Sequence, residues 1–154
     1  MKVIAYNRHI TENKEEEFGY LTPNMKELFA NADFISLHLP GSAATHHMIN
    51  AELIGLMKPT AYLINCGRGE VVDEAALIEA LKNHKIQGAA LDVVETNLPT
   101  DDNPLLKMDN VIVTPHTAAF TTEALENMAY QAALGVYETL EGKPVTFPIN
   151  KLNK

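Results

Sequence analysis

Two turns in this sequence place reactive side chains just beyond apolar runs. Asn65-Cys66-Gly67-Arg68-Gly69 follows the run at residues 60–64. An arginine in a glycine-flanked turn after a buried strand is placed to grip a carboxylate with parallel N–H donors. The other reading is an arginine bonded to nearby carbonyls or an acid. Val113-Thr114-Pro115-His116-Thr117 sets an imidazole at the end of another run, where it can give or take a proton near neutral pH, or simply sit on the surface. Cys66 could act as a nucleophile, but no base is legible beside it, and it reads as a small buried residue. His46 and His47 are adjacent, and chain neighbours rarely face one site, so no metal centre is expected there.

Those turns need strands to hold them. Residues 2–6, 33–38, 60–65, 86–94 and 110–113 are short apolar or β-branched runs that read as strands. Between them, residues 25–30, 50–57 and 73–81 have apolar positions at helical spacing, with Asn50 and Asp73 placed as N-caps. Residues 98–104 read as a loop and residues 105–108 as a short turn of helix. Residues 121–140 read as a long helix ended by Gly142 and Pro144. Its stripe of Ala124, Met128, Ala132 and Val136 reads as packing surface. The charged stretch at 11–20 reads as a solvated loop. Strands alternating with helices predict βαβ units and a parallel sheet covered on both faces. In such a sheet ligands bind beyond the carboxyl ends of the strands.

Composition narrows the classes of function. The chain has 154 residues, with 12 Lys+Arg against 20 Asp+Glu and a net charge of −8, which disfavours nucleic acid and anionic membrane as partners. No apolar stretch approaches the length of a membrane span, and the N-terminus lacks the apolar core of a signal peptide. The single cysteine excludes an internal disulfide and fits a reducing compartment, so a cytoplasmic location is expected.

The motifs gain meaning in combination. Asn65-Cys66-Gly67-Arg68-Gly69-Glu70-Val71-Val72-Asp73, then Gly88-Ala89-Ala90-Leu91-Asp92-Val93, then Thr114-Pro115-His116 resembles the D-isomer-specific 2-hydroxyacid dehydrogenase family. His38-Leu39-Pro40, Met48-Ile49-Asn50 and Met57-Lys58-Pro59 stand where that family has them. Other details resemble its D-lactate dehydrogenase branch: His47-Met48-Ile49-Asn50, His116-Thr117-Ala118 with Phe120-Thr121-Thr122-Glu123-Ala124, and Asn127-Met128. The resemblance covers essentially the whole chain.

The resemblance implies an α/β fold: a Rossmann-like doubly wound parallel sheet missing its first strand, Gly-rich turn and first helix. Residues 1–118 would form a partial dinucleotide-binding domain. Residues 119–154 would form a closing helix and tail that return to an absent substrate domain. None of the eight glycines falls in the G-x-G-x-x-G pattern that cradles a pyrophosphate, and the chain resembles the latter part of a longer enzyme. The implied reaction is hydride transfer between NAD or NADP and a small 2-oxo or 2-hydroxy acid. Arg68 would clamp the substrate carboxylate and carbonyl, and His116 would exchange a proton with the carbonyl oxygen. Asp92 would meet the nicotinamide carboxamide. Thr45, the His38-Leu39-Pro40 turn and the Asn65-Cys66-Gly67 turn would line the cofactor.

Two positions depart from the family pattern. The family places a glutamate five residues after the aspartate that matches Asp92, where it pairs with the catalytic imidazole. Here that position is Asn97, and Glu95, earlier in the chain, is expected to point elsewhere. An amide orients a ring without favouring its protonated form as a carboxylate does. The formate dehydrogenases of the superfamily also carry an amide there. The other departure is Asn7, at a strand end where NAD-preferring members carry an acid; with Arg8 it suits a 2′-phosphate. The expected function is therefore a truncated dehydrogenase, weak or inactive as this chain alone. The alternatives are a non-catalytic binding module or a gene fragment. The long helix, uncovered, would drive association into a homodimer or larger assembly.

Overall fold

Short β-branched runs alternate with helices whose first turns are capped by side chains, and this alternation builds residues Met1–His116. The computed structural model describes residues 1–96 and 101–148. In chain order the elements are β1 (Val3–Tyr6), β2 (Lys14–Glu16), β3 (Gly19–Thr22), α1 (Met25–Asn31), β4 (Phe34–Leu37) and α2 (Ala51–Leu56). They continue with β5 (Tyr62–Asn65), a 3-10 turn (Gly69–Val71), α3 (Glu74–Lys82), β6 (Gly88–Leu91), a second 3-10 turn (Pro104–Lys107) and β7 (Val111–Val113). Asn24, Asn50 and Asp73 each accept the N–H three residues on, at the starts of α1, α2 and α3.

β4, β5, β6 and β7 pair in that order, all parallel, with Leu63 opposite Ile35 on one side and Ala89 on the other. With helical crossovers this is a Rossmann-like α/β architecture. The other strands make a separate three-stranded sheet, β1-β3-β2, in place of the single sheet expected. β3 is parallel to β1 and antiparallel to β2. Among the described residues β1 and β4 each keep one unpaired edge, which is why the two sheets are distinct. The stretch 11–20, expected as a solvated loop, supplies β2 and the first half of β3. Pairing overrides composition here: Gly19, at φ +149°, lets β3 approach β1 so closely that a Cβ would lie 1.9 Å from the Val3 carbonyl oxygen. The charged Lys14–Glu16 strand then forms the sheet edge, where charge is tolerated.

The four-stranded sheet buries one face. Ile35, Leu37, Leu63, Ala89 and Leu91 pack there with Leu53 and Ile54 of α2 and Leu77 and Leu81 of α3. The expectation of cover on both faces is not met. The opposite face carries Phe34 and Ile112, which are 64% and 67% exposed, and Phe34 stacks on Tyr62 with ring centroids 5.5 Å apart. The sequence pattern misled because continuous apolar runs do not distinguish a strand buried on both faces from one with an open apolar face.

Residues Thr117–Lys154 form a second unit built on α4 (Thr122–Leu140). Thr121 caps it by accepting the Ala124 N–H, and Gly142, at φ +66°, follows its end. The stripe read as packing surface is largely exposed, at 49% for Met128 and 60% for Val136. The buried side chain of this helix is Glu138, which accepts the Thr146 hydroxyl and amide. Those bonds hold its carboxyl below the usual carboxylate range. A lowered folded pKa means that the tail's hold is complete above the ordinary glutamate value and is lost as pH falls through the lowered one. Hydrogen exchange at the Thr146 amide checks this. Protection is expected at neutral pH, loss of protection on acidification, and loss already at neutral pH in Glu138→Leu. Equal protection in that variant would refute the strap.

Candidate functional site at the strand ends

Because β4, β5, β6 and β7 are parallel, the residues that follow them gather at one edge of the sheet. His38 follows β4, Cys66-Gly67-Arg68 follows β5, Asp92 follows β6 and Thr114-Pro115-His116 follows β7.

The turn after β5 is held from inside. Asn65 is 1% exposed; its Oδ1 accepts the Gly67 N–H at 3.0 Å and its Nδ2 donates to the Arg68 carbonyl at 3.1 Å. Gly67 lies against the backbone of Leu39, where a Cβ would stand 2.6 Å from the Leu39 carbonyl oxygen. The turn after β4 and the turn after β5 are thus in backbone contact. Arg68 is exposed, with Nη1 donating to the Gly67 carbonyl at 2.9 Å. That bond fixes the root of the guanidinium fork, whose remaining donors can meet a planar anion. Cys66, read as buried, is exposed. The alternation of β5 turns Asn65 inward, so its successor faces out.

Asp92 and His116 are tied to the same turn through the backbone. The Asp92 N–H donates to the Asn65 carbonyl at 3.0 Å, and the His116 N–H donates to the Asp92 carbonyl at 3.0 Å. The Asp92 carboxylate is buried and accepts the Thr114 hydroxyl at 2.6 Å. His116 is exposed at φ +57°, a left-handed conformation uncommon for a side chain with a Cβ. Strained positions of this kind concentrate at functional sites.

The other residues expected at the site have different surroundings. Thr45 is buried, and its hydroxyl donates to the Pro40 carbonyl at 2.7 Å, closing the loop after β4. His38 is exposed with Nε2 2.9 Å from the Ser36 hydroxyl. Leu39 packs partly against the core, and Pro40 is exposed. Asn7 and Arg8 follow β1, at the end of the three-stranded sheet. Asn7 Oδ1 accepts the His9 N–H at 2.9 Å, and the Arg8 Nε donates to His9 Nε2 at 3.2 Å. Asn97 lies outside the described residues. Glu95 bonds His47, Oε1 to Nε2, at 2.6 Å. His46 stacks on His47 with centroids 4.0 Å apart, so the adjacent histidines do face one place. Nothing in the sequence signals that grouping, because Glu95 is remote along the chain.

Asn65→Ala removes both internal bonds of the turn and leaves the buried Gly67 N–H unpaired, while the Arg68 carbonyl keeps the Val71 N–H at 3.3 Å, so a loss of about 2 kcal/mol is expected. Arg68→Ala, on the exposed side of the same turn, is expected to change stability by less than about 0.5 kcal/mol. Urea unfolding of both variants checks the difference; equal losses would remove Asn65 from its bracing role.

Residues 1–118 match the family described as D-isomer specific 2-hydroxyacid dehydrogenase, NAD binding domain. D-3-phosphoglycerate dehydrogenase of Synechocystis sp. is 41% identical over 150 residues, covering 97% of this chain and 27% of that protein. Among solved structures, D-lactate dehydrogenase with NAD+ from Lactobacillus jensenii matches at 35% identity and a TM-score of 0.85, over 97% of this chain and 48% of that one. An acyclic imino acid reductase in complex with NADPH and D-Arg matches at 36% identity and a TM-score of 0.82, over 97% and 46%. The chain thus spans less than half the length of each of these proteins. With its parallel sheet, and with Arg68, Asp92 and His116 at the strand ends, the chain belongs to the D-isomer specific 2-hydroxyacid dehydrogenase family, in its NAD-binding domain.

Proposed function

We propose that this chain is the cofactor-binding part of a D-2-hydroxyacid dehydrogenase of the D-lactate type. The observation that carries the reading is the succession of Arg68, Asp92 and His116 after adjacent parallel strands, linked by the Asn65–Asp92 and Asp92–His116 backbone bonds. The two abutting turns at Leu39 and Gly67 leave a polar, open edge flanked by His38, Cys66 and Arg68, which fits an extended cofactor lying across strand ends. NAD or NADP, when bound, supplies or accepts the hydride. Arg68 grips the carboxylate of a small 2-oxo or 2-hydroxy acid and fixes which face is presented. His116 holds the proton exchanged with the substrate oxygen. Asp92, oriented by Thr114, is the acceptor for the carboxamide, while Thr45 shapes the loop beside the cofactor. Arg8 supplies a cation for a 2′-phosphate, leaving NADP open beside NAD.

In this reading residues 1–118 are the dinucleotide-binding part and residues 119–154 return toward a substrate domain. Turnover by this chain alone is weak or absent, since it has no G-x-G-x-x-G turn. No helix of the described residues is long and apolar enough to cross a membrane, and the reading places the chain in a reducing cytoplasm. A non-catalytic binding module is the second reading. The engagement of Glu95 by His47 favours it, because that carboxylate is then withdrawn from the strand-end histidine.

Calorimetric titration with NADH and, separately, NADPH tests the proposal. Binding in the micromolar range is expected, with Arg8→Ala weakening NADPH more than NADH. No binding of either up to about 1 mM would overturn it in favour of the second reading. The open sheet face at Phe34 and Ile112, with the exposed Leu125, Met128 and Val136 of α4, supports self-association into a homodimer or larger assembly. Sedimentation at micromolar concentration is expected to show a dimer or larger species, and a clean monomer would contradict this.

A further inference from the structure

We propose that His46, His47 and Glu95 form a binding site for a divalent transition cation of the zinc class. Each offers one ligand atom, and these atoms all lie within 4.8 Å of one another. The grouping arises from tertiary structure. His47 sits at φ +47°, which folds its ring back against that of His46, with centroids 4.0 Å apart and an interplanar angle of 26°. The His47 N–H is fixed to the Glu70 carbonyl at 2.8 Å, and the Glu95 N–H is fixed to Glu74 Oε2 at 2.8 Å. Both backbones are therefore anchored while the side chains remain at least partly solvent-accessible.

The donor set decides the class of ion. Paired imidazoles with a carboxylate suit zinc, cobalt, nickel or copper, whereas magnesium and calcium prefer oxygen. Ligands about 2 Å from zinc stand roughly 3.4 Å from one another. The His47–Glu95 pair, hydrogen-bonded at 2.6 Å, must therefore part slightly to admit the ion while any longer separation shortens, adjustments of about 1 Å that are within reach of partly exposed rotamers. Three protein ligands leave further coordination to water. The net charge of −8 favours cation approach.

The location gives the ion a mechanical consequence. His46 and His47 belong to the segment between β4 and α2, and Glu95 follows β6. Between these segments lies the Gly69–Val71 turn. A Cβ on Gly69 would stand 1.9 Å from the Val94 carbonyl oxygen, so the Glu95 segment rests directly on the turn that follows Arg68. A bound cation would join the two segments across that turn. The assignment is independent of the dehydrogenase reading.

The chain, stripped with a chelator and dialysed, is titrated calorimetrically with Zn2+ and separately with Mg2+. Saturable binding of one Zn2+ per chain and none of Mg2+ is expected. His46→Gln and Glu95→Gln are each expected to weaken Zn2+ by at least about tenfold, and His84→Gln to leave it unchanged. Metal-free melting curves of the variants confirm that each is folded. In the unsubstituted chain, Zn2+ is expected to shift the ring resonances of His46 and His47 ahead of those of the other histidines. Absence of saturable Zn2+ binding, equal affinity in the His46 and Glu95 variants, or zinc shifts led by other histidines would each overturn the assignment.

Discussion

A single buried amide holds the functional edge of this protein together. Asn65 ends β5 inside the core, and its side chain closes the following turn by bonding Gly67 and Arg68. Its own carbonyl receives Asp92, whose carbonyl receives His116. The positions of arginine, aspartate and histidine thus descend from one residue. The constraint is energetic as well as geometric: a buried amide that lost these partners would incur the full cost of desolvation. Glycine at 67 is the matching requirement, because the turn lies directly on the backbone of Leu39.

Around that edge the sheet is asymmetric. One face is sealed by Leu53, Ile54, Leu77 and Leu81, while the other presents Phe34, Tyr62 and Ile112 to solvent. Burial of the first face stabilises the sheet against its helices, since apolar area removed from water contributes about 25 cal/mol per Å2. The open face is an association surface by the same physics. Charge is distributed differently from apolar area: Lys14–Glu16 lines a sheet edge, and the cationic Arg68 stands alone in its turn within an acidic chain. A local cation in an acidic protein is suited to select a small anion without attracting polyanions.

The helix caps and the strand-end motifs could be read directly from the residues. Asn50, Asp73 and Thr121 cap through atoms three residues away, so their roles are local and survive without tertiary information. Arg68 and His116 were placed by the same logic, as residues just past apolar runs. The hairpin of β2 and β3 was not legible, because Lys14, Glu15 and Glu16 are poor strand formers that pair only when β3 is seated on β1. The exposure of Cys66 has no local signal, because it depends on which face of β5 turns inward. Thr45 carries a hydroxyl suited to a ligand, but the loop after β4 uses it internally.

The sequence alone determined the alternation of strands and helices from α1 onward, the caps, the chemistry available at each strand end, and the family. Those depend on neighbours a few residues apart or on motif order along the chain. The tertiary structure decided which face of the sheet is covered, that the strands divide into two sheets, and that Glu95 meets His47. The reason is separation along the chain. Contacts between residues tens of positions apart are set by crossovers and by positive-φ residues such as His47 and His116, and side-chain types carry no local record of them.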